Sequence, residues 1–242
     1  MNSFNQHATM SWKHLTMLSL VLLTVASTVS AERNPNPGIL PIASTPHGLS
    51  YGEWSGAWWQ WVYSIPADMN PVKDTTGEFA EIGQSGPVWF LAGTFGQTAT
   101  RTVTVPQGKA LFIPIINVVW FNTPEFGDNP WSDEQRAYAR SVIAPFVDNA
   151  FNLSCTIDGV EVADLESYRA TTPDGSEYLV TFPENNINGI PAGTYGPSVD
   201  DGIYLMLTPL RPGQHTIHFT SASQGSILGD FALDVTYHLT IK

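Results

Sequence analysis

YGEWSGAWWQWVYSIP, residues 51–66, carries four of the chain's eight tryptophans and a single formal charge, Glu53. Ser50 precedes it with Glu53 three residues on, the reciprocal pairing of a capping box, and Pro66 forbids continuation. The spacing therefore predicts a helix over about 51–65. At 100° per residue Tyr51, Trp54, Trp58, Trp61 and Ile65 fall along one stripe, which must be buried. Trp59 and Tyr63 fall on the opposite side, beside Gly52 and Gly56, where the missing side chains leave room for something to lie against the rings. Either a second layer of protein or a ligand fills that room. Large apolar groups are the ordinary content of cores, so burial is favoured.

Downstream of this stretch the period changes from helical to alternating. PVWFLAGTFG and GKALFIPIINVVWF are near-continuous apolar runs, read as covered strands, with Pro114 marking an edge or a bulge in the second. TATRTVTVP alternates, and it places Arg101 on the apolar face with Val103 and Val105, at the strand's end or paired with a carboxylate. EYLVTF, IYLMLTPL and QHTIHFTS read as further strands, and FALDVTYHLTIK closes the chain with Phe231, Leu233, Val235, Tyr237, Leu239 and Ile241 facing in. A second helix is predicted over about 132–150, capped by Ser132 with Gln135, with Trp131 as a staple. Its apolar stripe is read as Tyr138, Val142 and Phe146, with Pro145 bending it or ending it early. The fold class that follows is mainly β: a sandwich, jelly-roll-like or immunoglobulin-like, with two accessory helices at its end or edge.

Lys13 and His14 precede the apolar run LTMLSLVLLTVASTV, too short for a spanning helix, and Val29-Ser30-Ala31 fits the small-x-small cleavage rule. This predicts a signal peptide over 1–31, a proline-rich arm over 32–48 along the surface and one domain over 49–242, secreted or periplasmic and not inserted in the membrane after cleavage. Formal charge is −12 at pH 7, and losing Lys13 with the leader makes it one unit more negative. Such a chain repels phosphate backbones and anionic headgroups, which argues against nucleic-acid partners. Cys155 is the only cysteine, so no internal disulfide forms, and its place in NLSCTIDGVEV reads as a buried, inert thiol.

Catalytic and metal signals are weak. His215 and His218, three apart on a strand, point to opposite faces; no HExxH or CxxC is present, and no metal or cofactor is expected. GQSGP at 83–87 lacks the last glycine of G-x-S-x-G. The acidic loop 67–86 matches no EF-hand spacing. The segment 183–202, PENNINGIPAGTYGPSVDDG, shows neither period and reads as a long loop carrying Tyr195, Asp200 and Asp201.

The blocks YGEWSGAWWQWVYSIP, GQSGPVWFLAGTFG, VPQGKALFIPIIN and SVDDGIYLMLTPLRPGQHTIHF resemble those of a family of uncharacterised secreted bacterial proteins. The resemblance implies a cysteine near each of the positions held here by Ala80 and Val103, and hence a lost bridge between the 67–86 loop and the second strand. It implies no activity. The residues themselves point to a non-catalytic binding module for a neutral ligand such as a glycan, with Trp59, Tyr63, Tyr195, Asp200 and Asp201 as binding residues and Trp120 and Trp131 as further aromatic faces. The alternatives are an envelope-associated structural protein with no small ligand and a glycan hydrolase or lyase using Glu53 with Asp200-Asp201.

Overall fold

The helix from Tyr51 to Tyr63 (α1) starts on the expected capping box: Glu53 N–H donates to Ser50 Oγ, and Ser50 N–H donates to Glu53 Oε2 at 2.8 Å. In the computed structural model, which describes residues 36, 38–123 and 131–242, α1 is buried nearly all round. The signal peptide, the start of the arm and part of the 122–131 turn region lie outside the described residues.

The strands are β1 (Val88–Phe90), β2 (Thr98–Val105), β3 (Ala110–Phe121), β4 (Ala150–Ile157), β5 (Val160–Glu161), β6 (Arg169–Thr171), β7 (Tyr178–Phe182), β8 (Gly193–Leu207), β9 (Gly213–Ser223) and β10 (Phe231–Ile241), with α2 at Asp133–Asp148. Sheet I runs β1-β3-β8-β6, with β7 also on β8, and sheet II runs β2-β10-β9-β4-β5. The result is a β-sandwich. Both sheets are mixed: β1 joins β3 and β2 joins β10 in parallel, because the chain crosses from one sheet to the other between β1, β2 and β3. The inward residues expected of β10 are buried from Leu233 to Ile241, and Pro114 sits at the register shift of β3 against β8. β1 is an edge strand of three residues, shorter and less central than its apolar run suggested.

α1 does not sit at the sandwich's end or edge. α1 lies across the outer face of sheet I. Tyr51 packs on Phe112, Trp54 and Trp61 on Phe90, and Tyr63 on Phe121 and Phe182. The glycines set how closely it approaches: a Cβ on Gly52 would stand 2.1 Å from the Thr171 carbonyl oxygen, and one on Gly56 would stand 2.8 Å from the Tyr178 ring. The room beside Trp59 and Tyr63 is thus taken by β6 and β7. Three indoles of the opposite stripe donate to loop carbonyls, Trp54 to Pro46, Trp58 to Leu91 and Trp61 to Ile82, so the helix also pins the chain that wraps it. The described part of the arm is anchored near Ile39 and then runs along the surface, with Pro41, Ala43, Thr45 and His47 exposed. Ile39 is buried and bridges Leu207, and Leu40 N–H donates to Met206 O.

α2 packs on the inner face of sheet I beside sheet II, with Ser223 Oγ donating to Phe146 O and Phe146 against Phe231. Its buried stripe is Ala139, Ile143, Phe146 and Val147, so the expected stripe through Tyr138 is rotated by one residue and Tyr138 stands 60 % exposed. Pro145 does not end the helix. The bond it forgoes is to the carbonyl of Ser141, an exposed residue whose oxygen water can reach.

Arg101 is fully buried, yet among the described residues no carboxylate pairs with it. It donates to the carbonyls of Asp74, Ala92 and Gly93 and to Tyr237 Oη, and its guanidinium lies 5.2 Å from the centre of that ring. Carbonyl dipoles fill the role expected of a counterion. The loop before β2 is pinned by backbone bonds from Thr100 to Thr75 and from Thr102 to Thr76, beside the buried Ala80 and Val103.

Candidate functional site

The stretch read as the 183–202 loop is regular from Gly193 onward, and Asp200 and Asp201 lie inside β8. Alternation along a strand sends their side chains to opposite faces, so they do not form a pair. Asp200 points under α1 and is wholly buried. Four hydroxyls ring its carboxyl: Ser55 at 2.5 Å and Tyr204 at 3.2 Å on Oδ1, and Thr172 and Tyr178, both at 2.8 Å, on Oδ2. Burial pushes its pKa up to about 6 from 3.8, against the lowering effect of the bonds from Ser55, Tyr178, Thr172 and Tyr204.

Below that pKa the Ser55 hydroxyl offers a place for the proton. Its oxygen is also 2.7 Å from Gly52 O, and one hydroxyl proton cannot serve both acceptors. A protonated Asp200 donating to Ser55, which donates onward to Gly52, satisfies the whole chain. Asp201 faces the other way, in a bidentate pair with Arg169 at 2.9 and 2.6 Å, and Arg169 also reaches Asp148 at the end of α2. Glu53 is spent on Ser50, whose backbone and hydroxyl donors hold its pKa below the ordinary carboxylate value. These acids do not converge on one opening.

Trp59 and Tyr63 are both 5 % exposed, with ring centres 5.2 Å apart. Tyr63 packs 4.6 Å from Phe182, which packs 5.6 Å from Tyr195. Tyr195 Oη donates to Pro191 O. Trp59, Tyr63 and Tyr195, expected from the sequence as ligand-binding residues, lie together as one wall of the core.

A surface cavity of about 190 Å³ lies at the end of β3, where α2 begins, lined by Trp120, Asn122, Trp131, Glu134, Gln135 and Tyr138. Trp120 and Tyr138 meet edge to face, centres 5.9 Å apart at 86°, and so make a corner of two aromatic planes. Trp131, 7 % exposed, sits just before the N-cap Ser132. Gln135 Oε1 accepts from Ser132 N–H, which fixes the amide group, and its NH2 bonds no other described residue. Glu134, in the first turn of α2, is exposed and unpaired among the described residues. The arrangement combines apolar flat surfaces with one amide donor and one carboxylate acceptor at the rim. Trp120 and Trp131 were legible as aromatic faces. Tyr138 and Gln135 were not, because the stripe was set one residue off; the alternative i, i+4, i+7 set Ala139, Ile143, Phe146 would have turned Tyr138 outward.

The histidines are spread as the strand geometry requires: His215 lies 2.7 Å from Asp158, and His218 lies 2.9 Å from Asp234. Among the described residues no three of His, Cys, Asp and Glu gather to hold a metal ion. Cys155 is fully buried, and burial pushes its thiol up to about 12. No protein-family model, no curated protein and no solved structure matches this chain.

Proposed function

We propose that the protein is a secreted or periplasmic, non-catalytic binding module for a neutral glycan, held in the cavity of Trp120, Trp131 and Tyr138. The observation that carries this reading is the two-plane aromatic corner beside a fixed amide NH2 and an unpaired carboxylate. The C–H face of a pyranose packs on aromatic planes, while its hydroxyls donate to Glu134 and accept from Gln135. At about 190 Å³ the cavity is below the roughly 300–1,000 Å³ of pockets for drug-sized ligands, which suits one sugar ring or the end of a chain. The five residues singled out first contribute to the scaffold in this reading, and the hydrolase alternative loses support because Glu53, Asp200 and Asp201 are each engaged elsewhere.

An array of neutral oligosaccharides followed by calorimetry tests the reading. Tyr138→Ala removes an exposed ring and should weaken the best ligand about tenfold while leaving the melting temperature unchanged. Absence of any glycan binding, with the protein retained in a cell-envelope fraction, would favour the structural alternative instead. One observation speaks for that alternative: Phe95, Ile227 and Leu228 are 51 %, 82 % and 51 % exposed in loops next to β2 and β10, which pair along one end of sheet II.

A further inference from the structure

A second, larger cleft of about 360 Å³ opens between the β4–β5 hairpin and the end of β8. Its size falls within the range of small-molecule pockets, roughly 300–1,000 Å³. Ile39, Val162 and Leu207, each nearly fully buried, form its floor, and Ile157, Val160 and Leu210 form its walls. Such a lining accepts an apolar chain or ring.

What it recognises electrostatically follows from elimination among its four polar side chains. Asn36 is spent on Ala163 O, Ala163 N–H and Tyr168 Oη. Thr208 Oγ1 donates to Gly38 O. Asp158 accepts from Thr216 N–H at 2.8 Å and faces His215 Nδ1 at 2.7 Å. The other nitrogen of that ring faces Arg211 O at 2.8 Å, so both nitrogens meet acceptors, and the imidazolium that satisfies both neutralises Asp158. Glu161 remains, exposed on β5 and without a hydrogen bond or ion pair among the described residues. Among the described residues no cationic side chain lines the cleft.

We infer that this cleft binds a cationic amphiphile, an amine whose apolar chain or ring fills the space between Leu207 and Val160 and whose ammonium pairs with Glu161. The site is separate from the aromatic cavity and does not depend on it.

The test is calorimetric titration of the protein with decylamine, decanol and decanoate below their aggregation concentrations. Decylamine should bind one to one and about tenfold more tightly than decanol, with decanoate weakest. Glu161→Gln should bring decylamine down to the level of decanol. Val160→Trp, at a residue 70 % exposed on the cleft wall, should weaken both by filling the space without disturbing the fold. Tyr138→Ala should change none of these values. The inference is overturned if decylamine does not saturate at one equivalent. It is also overturned if the amine preference survives in Glu161→Gln, which would trace it to the overall negative charge, or if Val160→Trp leaves binding intact.

Discussion

Replacing Asp200 by asparagine should make the protein more stable than the wild type at neutral pH and flatten its pH dependence. The folded-state pKa is about 6, above the ordinary 3.8, so the native protein holds a proton that the unfolded chain releases. The stability tied to that proton is fully present below about 3.8 and is lost as pH rises through about 6. The difference between the two values corresponds to about 3 kcal/mol between acid and neutral pH. Asparagine reproduces the protonated form at three of the four contacts. Its carbonyl, placed at Oδ2, accepts from Thr172 and Tyr178, and its NH2, placed at Oδ1, donates to Ser55, which passes a proton to Gly52 O; only the long bond from Tyr204 loses its acceptor, which offsets part of the gain at every pH. Urea unfolding of both proteins from pH 4 to 7.5 should therefore give a gap in the variant's favour that widens with pH towards about 3 kcal/mol. Asp200→Leu should cost at least about 3 kcal/mol at acid pH, since it strands the hydroxyls of Thr172, Tyr178 and Tyr204, while Ser55 keeps Gly52 O. A gap independent of pH, or one that narrows as pH rises, would refute the argument that burial outweighs the four donors.

Gly52→Ala should lower stability by about 1–3 kcal/mol despite alanine's better helix propensity, because the new Cβ would meet the Thr171 carbonyl oxygen at 2.1 Å. An unchanged or raised melting temperature would show that α1 is not seated on β6 as described. Cys155 should resist alkylation in the native protein at pH 8 and react stoichiometrically once urea unfolds it, given its burial and raised pKa. Native labelling at the rate of a free thiol would contradict its position in the core.

Local signals were read most faithfully. Both capping boxes, at Ser50 and Ser132, depend on residues three apart, and both formed. The alternation of β10 survived because one face meets the core and the other meets water. What sequence concealed was set by tertiary contact. β8 begins in a glycine- and proline-rich stretch with poor strand propensity, yet β3, β6 and β7 all pair with it, so pairing overrode propensity. The same event converted Asp200 and Asp201 from loop acids into one buried proton carrier and one ion-pair partner. The stripe of α2 was ambiguous by one residue, since Tyr138 and Ala139 both open sets at helical spacing, and only sheet I decides between them. Arg101 defied the rule that buried charge meets opposite charge because three carbonyls happened to converge on it.

The central claim is that an aromatic corner on the inner-face helix holds a sugar ring. Two-dimensional NMR of the labelled protein, titrated with the best ligand from the array, tests it most directly. The largest shifts should fall on the Trp120 and Trp131 indole N–H signals and the Gln135 side-chain amide, while the Trp59 indole stays in place. Shifts centred on Trp59, or none at any of these groups at saturating oligosaccharide, would contradict it.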